Sequence, residues 1–147
     1  MSTTSKDNDE VRRLFSEHVP EVASGAVEIK GIARETGRRA IVVVHASDAR
    51  ICPVGSCVGP TGSRVKAVVR ALPGDTIDIV RWSDSLQEFI RNLLAPARVE
   101  QIAFDTAAHR ATVTVVADST AKWTNDGGIR LRLASRLAGW DLRLIVT

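Results

Sequence analysis

The chain has 147 residues, of which 44% are hydrophobic and 25% charged, and its formal net charge is +3. This composition excludes a largely disordered chain, and the length corresponds to about one domain. No apolar run approaches the roughly 20 residues of a membrane span, and the polar N-terminus MSTTSKDNDE contains no signal segment, so we expect a cytoplasmic protein. Two cysteines in such a chain indicate neither a disulfide framework nor a complete structural zinc site.

The first half of the chain predicts the order helix, strand, strand, short helix, helix, strand. Residues 1–10 are polar and predict a flexible tail. Helical spacing, a β-branched run, alternation and turn residues define the segments that follow. They are a helix over residues 11–19 that ends at Pro20, strands over 26–33 and 39–46, a short small-residue segment over 53–58, a helix over 63–72 and a strand over 75–82.

The same order then restarts at residue 83. The segments are a helix capped at Ser83-Asp84 and reaching Leu94, a hairpin with strands over 99–104 and 110–116, a helix over 129–138 capped by Gly139, and a strand over 141–146. A shift of 66 residues places Gly62 on Gly128, and a one-residue deletion later aligns Gly74 with Gly139. The sequence therefore predicts an internal repeat with two domains, over residues 11–82 and 83–147.

Basic residues coincide in the two repeats. The same shift places Arg64 on Arg130, Lys66 on Arg132 and Arg70 on Arg136. Residues 59–72 and residues 128–143 each carry a net +3, so the rest of the chain carries −3. A single basic helix is usually a solvated face, but the repetition favours an anion-binding surface.

A glycine-rich loop, formed by Gly59, Pro60, Thr61 and Gly62, precedes the first basic helix. Glycines let backbone approach a ligand closely, and a helix N-terminus offers unpaired N–H groups and a positive dipole end. Arg64 and Lys66 add charge nearby. The combination suits a sugar-phosphate backbone, and these four residues are called the GXXG loop below.

Several segments of the sequence resemble a known family. Residues 53–82, PVGSCVGPTGSRVKAVVRALPGDTIDIVRW, resemble the first KH domain of the bacterial transcription factor NusA. VRRLFSEHVPEVASGAVEIKGIARETG is similar to the entry to that domain, LLAPARV to the join between the two KH domains, and RLASRLAGWDLRL to the end of the second.

The resemblance implies an α+β fold of two tandem type II KH domains, each α-β-β-α-α-β, packed as one unit. Single-stranded RNA would run across both, with about four nucleotides held by each domain and the backbone clamped by the GXXG loop. The implied process is transcription elongation, termination or antitermination, with RNA polymerase or other Nus-type factors as further partners. No cofactor, small-molecule substrate or membrane partner is implied.

The sequence departs from the NusA pattern in two ways. The chain resembles only the middle of that family, without its polymerase-binding domain or oligonucleotide-binding barrel, and its Met1 with a polar tail favours a natural short protein. The second loop reads Asn125-Asp126-Gly127-Gly128, which places a negative charge where phosphate would approach. We expect the second domain to bind RNA more weakly, with Lys122 partly offsetting Asp126.

Other features have alternative interpretations. Gly55-Ser56-Cys57-Val58-Gly59 fits a thiol nucleophile elbow, although Pro53 argues against the strand such a motif needs. Cys52, Cys57 and His45 do not complete a metal ligand set, and both cysteines are interpreted as packing residues. Packing also explains Trp82 and Trp140, whereas Trp123 is open to either packing or base stacking.

Two hypotheses about function follow. The first is a non-enzymatic RNA-binding module in which the GXXG loop contacts phosphates and charge comes from Arg64, Lys66, Arg70, Lys122, Arg130, Arg132 and Arg136. The second is a protein-interaction module that docks on RNA polymerase or a transcription factor and whose RNA binding is reduced or lost.

Overall fold

The computed structural model describes residues 2–117 and 128–147, which divide into two compact units, Met1–Trp82 and Ser83–Thr147. Each unit contains a three-stranded sheet whose first two strands form an antiparallel hairpin. The third strand of each sheet is an edge strand and runs parallel to the second. The parallel pairing requires a crossover, and the helices that precede the third strand provide it.

In the first unit, six segments of helix or strand follow the initial helix. The elements are α1 (Ser2–His18), α2 (Pro20–Ser24), β1 (Glu28–Glu35), β2 (Arg39–His45), α3 (Pro53–Val58), α4 (Ser63–Ala71) and β3 (Thr76–Arg81). A 3₁₀ turn over Pro60–Gly62 joins α3 to α4. The helices cover one face of the sheet, where Phe15, Val42, Val44 and Val68 are almost fully buried in a common cluster.

The prediction for the first ten residues was wrong, whereas Pro20 has the predicted effect on α1. Residues 2–10, predicted as a flexible tail, belong to α1. The Asn8 amide donates to the Ile32 carbonyl at 3.4 Å, and Glu10 pairs with Arg34 at 3.1 Å. Pro20 does end α1, but it also begins α2, since proline is well accommodated in the first turn of a helix.

The first strand also differs from its predicted range. It covers Glu28–Glu35 and not residues 26–33. A register shift between Ile29 and Gly31 interrupts its pairing with β2. Such a bulge adds a residue to one strand and breaks the two-residue alternation from which the range was predicted.

The second unit repeats the order. Its elements are α5 (Leu86–Leu94), β4 (Val99–Asp105), β5 (Arg110–Val115), α6 (Ile129–Ala138) and β6 (Asp141–Val146). The cap of α5 is Ser85, whose hydroxyl accepts the Glu88 N–H at 3.3 Å, and not Ser83-Asp84 as predicted. The Ser83 hydroxyl instead accepts a hydrogen bond from the N–H of the cap residue Ser85, at 3.1 Å.

The predicted repeat is visible in backbone conformation. Gly62 begins α4 at φ 76°, ψ 16°, and Gly128 begins α6 at φ 82°, ψ 6°. Both are left-handed conformations that glycine adopts without steric cost. The two basic helices therefore start in the same way, and Gly139 caps α6 as predicted.

Candidate nucleic-acid interface

The GXXG loop is a tight turn that leaves its two central residues exposed. Gly59 lies at φ 75°, ψ 170°, Thr61 at φ 53°, ψ 23°, and Gly62 is left-handed. The Gly62 N–H donates to the Gly59 carbonyl at 3.0 Å and closes the turn. Pro60 and Thr61 are exposed at its tip, so a ligand can approach this part of the backbone closely.

Arg64 lies on the inner side of this loop. One of its Nη atoms donates to Glu21 Oε1 and to the Ser56 carbonyl, each at 2.8 Å. Its side chain is 27% exposed. A Cβ on Gly59 would lie 2.5 Å from Arg64 Cγ, so the aliphatic part of the arginine fills the space that this glycine leaves. Arg64, predicted to supply charge for phosphate, is therefore engaged within the unit.

Lys66 lies on the outer side of the loop. Its Nζ donates to the Thr61 carbonyl at 3.2 Å, and its Cε would be 3.6 Å from a Cβ on Gly62. Lys66 and Arg70, one turn further along α4, are both exposed. The structure therefore brings these two predicted residues to the surface beside the loop.

An open cleft of about 430 Å³ runs between α4 and the edge strand β3. Its apolar lining comes from Val65, Val69 and Ile77, while Lys66 and Arg70 provide positive charge. The valines and the isoleucine are half-buried. An apolar surface with a basic border suits flat aromatic bases attached to a charged backbone. These apolar residues were not among the predicted site residues, because the spacing of Val65 and Val69 is that of any amphipathic helix.

Asp75 also lines this cleft, but its carboxylate is committed elsewhere. Its two oxygens accept hydrogen bonds from Arg34 Nε at 2.7 Å and from the Gly37 N–H at 2.6 Å. Desolvation lowers the pKa of Arg34, but hydrogen bonds and charges from Asp75 and Glu10 outweigh it and raise that pKa above its usual value. The acidic group therefore lies in an ion pair, which limits its repulsion of a phosphate.

The second unit separates its predicted residues in a similar way. Arg132 and Arg136 are exposed on α6. Arg130, predicted to extend the basic track, is only 8% exposed, and its Nη2 donates to the Ala95 carbonyl at 3.0 Å. That part of the prediction was wrong, because the arginine side chain is buried and hydrogen-bonded to the residue that ends α5. Lys122, Trp123 and the first three residues of the second loop lie outside the described residues.

The alternative sites find little support. Cys57 is buried on a helix, and desolvation, with the charge of Glu21, raises the pKa of its thiol to about 11, so it is not poised as a nucleophile. Cys52 is exposed and its sulfur caps α3. Trp82 packs edge-on against His45, and Trp140 stacks on His109.

Residues 2–117 and 128–147 contain neither a cluster of metal ligands nor a membrane-spanning helix. Neither stretch contains a cluster of three or more His, Cys, Asp or Glu side chains arranged to hold a metal ion. No helix within these stretches combines the length and apolar character needed to cross a membrane.

Comparison with known proteins agrees with this geometry. Residues 5–82 match the family model of the NusA-like first KH domain, and residues 86–147 match that of the NusA-like second KH domain. The solved structure of APE1850 superposes with a TM-score of 0.62 at 22% identity, covering 92% of this chain and 96% of its own. The predicted resemblance and the two tandem KH domains are confirmed.

Full-length relatives match over nearly all of this chain. The transcription termination/antitermination protein NusA of Thermus thermophilus is 43% identical over 132 residues, which are 90% of this chain and 34% of the relative. That of Rickettsia prowazekii is 42% identical over 142 residues, 95% of this chain and 28% of the relative. The chain thus spans about a third of the length of these curated relatives.

Proposed function

The chain belongs to the NusA-like KH family, and from this premise we propose that it binds single-stranded RNA in the regulation of transcription elongation, termination or antitermination. The observation that carries the proposal is the exposed GXXG loop with Lys66 beside it and an apolar cleft behind it. RNA polymerase and other Nus-type factors are the protein partners proposed from the relatives, and no catalytic step is proposed.

The first KH domain supplies the main site. The exposed backbone of Pro60 and Thr61 approaches the phosphates, because the glycines on either side leave no side chain in the way. Lys66 and Arg70 add positive charge along one border. Unstacked bases then lie against Val65, Val69 and Ile77, as single-stranded RNA uses its base faces for apolar contact.

The second KH domain contributes more weakly. Arg132 and Arg136 are exposed on α6 and extend the positive surface of this domain. Arg130 is buried and donates to the Ala95 carbonyl, so it does not add to this exposed surface. In the sequence repeat Asp126 corresponds to Pro60, so it would add a negative charge to the second loop. Repulsion there favours the first domain as the principal RNA clamp.

The test is titration of a fluorescent single-stranded RNA with the wild type and with Pro60→Asp/Thr61→Asp, at two salt concentrations. The double variant adds two carboxylates at exposed positions of the loop tip and leaves the buried residues unchanged. Wild-type affinity should fall as salt rises, and the variant should lose most binding, because phosphate contacts dominate affinity.

A charge-matched control is Ala107→Asp/Ala108→Asp on the exposed β4–β5 turn. It makes the same change in net charge outside the proposed site and should retain most of the binding. Equal binding by wild type and both variants would exclude the GXXG loop as the site. Absence of RNA binding even by the wild type at low salt would overturn the proposal and leave the protein-interaction module as the remaining hypothesis.

A further inference from the structure

Arg64 joins three segments of the first unit. Its guanidinium contacts Glu21 on α2 and the Ser56 carbonyl on α3, and its methylene groups lie over Gly59. Glu21 is about one-third exposed, so the ion pair is partly shielded from water. The side chain therefore ties the start of the GXXG loop to α2 and α3.

This arrangement competes with phosphate binding. One Nη atom serves both acceptors at 2.8 Å, and the side chain lies against the inner side of the loop. For the guanidinium to reach the exposed tip, Arg64 would have to release the Ser56 carbonyl and Glu21 and vacate the space over Gly59. Leaving a partly buried carbonyl without its charged donor is unfavourable.

In the second unit, too, one basic residue of the helix faces inward and the next faces outward. Arg130 corresponds to Arg64 and is also turned inward, onto the Ala95 carbonyl at 3.0 Å. Two residues later, Lys66 and Arg132 are both exposed, and each has a side-chain atom 3.6 Å from where a Cβ of Gly62 or Gly128 would lie. In both units the first basic residue of the helix is inside and the second is outside.

We propose that Arg64 is a positioning residue that holds the GXXG loop in its RNA-binding conformation through Glu21 and Ser56, and that Lys66 is the phosphate ligand on this side of the loop. The proposal rests on the proposed RNA-binding function. It also makes α2, a single helical turn between α1 and β1, part of the functional site, because α2 carries Glu21.

The experiment uses the full chain with Arg64→Gln, Lys66→Gln and Glu21→Gln. Affinity for a fluorescent single-stranded RNA is measured over a salt series, and amide hydrogen exchange of Gly62 is measured without RNA. Loss of one phosphate contact on a single strand reduces the steepness of log K against log salt by about 0.7. Lys66→Gln should show that reduction, with exchange at Gly62 close to that of the wild type.

Arg64→Gln should weaken binding at least fivefold with an unchanged salt slope. It should also speed exchange at Gly62, whose N–H is bonded to the Gly59 carbonyl at 3.0 Å. Glu21→Gln should speed the same exchange and should not tighten binding. If Arg64→Gln does not fold, Glu21→Gln still tests the proposal, because it keeps Arg64 and its bond to the Ser56 carbonyl.

The opposite pattern would overturn the proposal. If Arg64 is a phosphate ligand, Arg64→Gln reduces the salt slope by about 0.7 and leaves exchange at Gly62 unchanged, while Glu21→Gln frees the arginine and tightens binding. Exchange is measured without RNA, so its result stands by itself. Absence of RNA binding by the wild type would refute the proposed function, whereas unchanged exchange in both variants would refute the positioning role.

Discussion

The two KH units close the corresponding end of their sheets with different chemistry. In the first, Arg34 near the end of β1 donates to Asp75 just before β3 at 2.7 Å, and the two side chains are 5% and 0% exposed. In the second, Phe104 near the end of β4 packs edge-on against Trp140 just before β6, with ring centroids 5.0 Å apart. A buried ion pair thus stands where the other unit has an aromatic pair.

The strand registers show that these positions correspond. Arg34 lies opposite Ala40 on β2, and Phe104 lies opposite Ala111 on β5, in each case one residue before the last pair of the hairpin. In both units the end of the first strand therefore contacts the residue that leads into the third strand. The chemistry of the two contacts differs, so the consequences of losing each contact should differ.

The largest expected effect is on stability. Asp75→Asn should lower the free energy of unfolding of the first unit by about 3 kcal/mol or more, because a buried guanidinium loses its main counter-charge. Trp140→Leu should cost the second unit about 1–2 kcal/mol, since Trp140 is only half-buried.

Native-state hydrogen exchange of β2 and β5 amides measures the two units separately. The control Arg34→Met/Asp75→Leu removes both charges and should recover most of the loss. Equal losses from the two single variants would contradict the distinction between ionic and aromatic closure.

The next effect concerns the glycines of the two loops. Gly59 occupies a region of backbone space that is nearly exclusive to glycine, and a Cβ there meets Arg64 at 2.5 Å. Gly59→Ala should cost about 2–3 kcal/mol and reduce RNA affinity about tenfold. Gly128→Ala, where the nearest contact is 3.6 Å, should cost about 1 kcal/mol. Chemical denaturation and RNA titration of both variants check this, and a larger loss at Gly128 would contradict it.

A smaller effect separates the two domains in RNA binding. Lys66→Gln should weaken affinity for single-stranded RNA about tenfold, which corresponds to about 1.4 kcal/mol. Arg132→Gln should weaken it less than about threefold, because the second loop carries Asp126. Fluorescence titration of both single variants and of the double variant measures this. A larger effect at Arg132 would make the second domain the principal clamp.

The smallest effect is a pH dependence confined to the first unit, which contains both cysteines. Burial raises the pKa of Cys57 from 9.0 to about 11. The folded state therefore keeps the thiol protonated up to a higher pH than the unfolded state does. The stability that Cys57 contributes is fully present below pH 9 and is lost as pH rises toward 11. The loss should reach about 1 kcal/mol at pH 10.

Denaturant titrations at pH 8 and pH 10, with Cys57→Ala as the control, measure this loss. A thiol reagent at pH 8 should modify the exposed Cys52 quickly and Cys57 only after unfolding. Rapid modification of both thiols in the folded protein would contradict the burial of Cys57.

Much of the local structure could be predicted because its signals are local. The apolar spacing of α6 and the glycines at its two ends predicted the bounds that the structure has. The start of α1 could not be predicted in this way. Its first turns are polar, and the described contacts that hold them, from Asn8 and Glu10, reach Ile32 and Arg34 on the hairpin. No pattern within the helix itself shows such partners.

Apart from α2, the sequence by itself determined the order of elements in the first unit, the repeat and the place of the GXXG loop, because periodicity and glycine conformation depend on neighbouring residues. The tertiary structure decided which cations are exposed beside the loop and which are engaged within the unit. Arg64 and Lys66 are two residues apart and equally basic, yet Arg64 finds its acceptors on Glu21 and Ser56, while Lys66 stays at the surface. The direction of a long charged side chain depends on acceptors that packing brings from other elements, so charge and spacing alone did not reveal it.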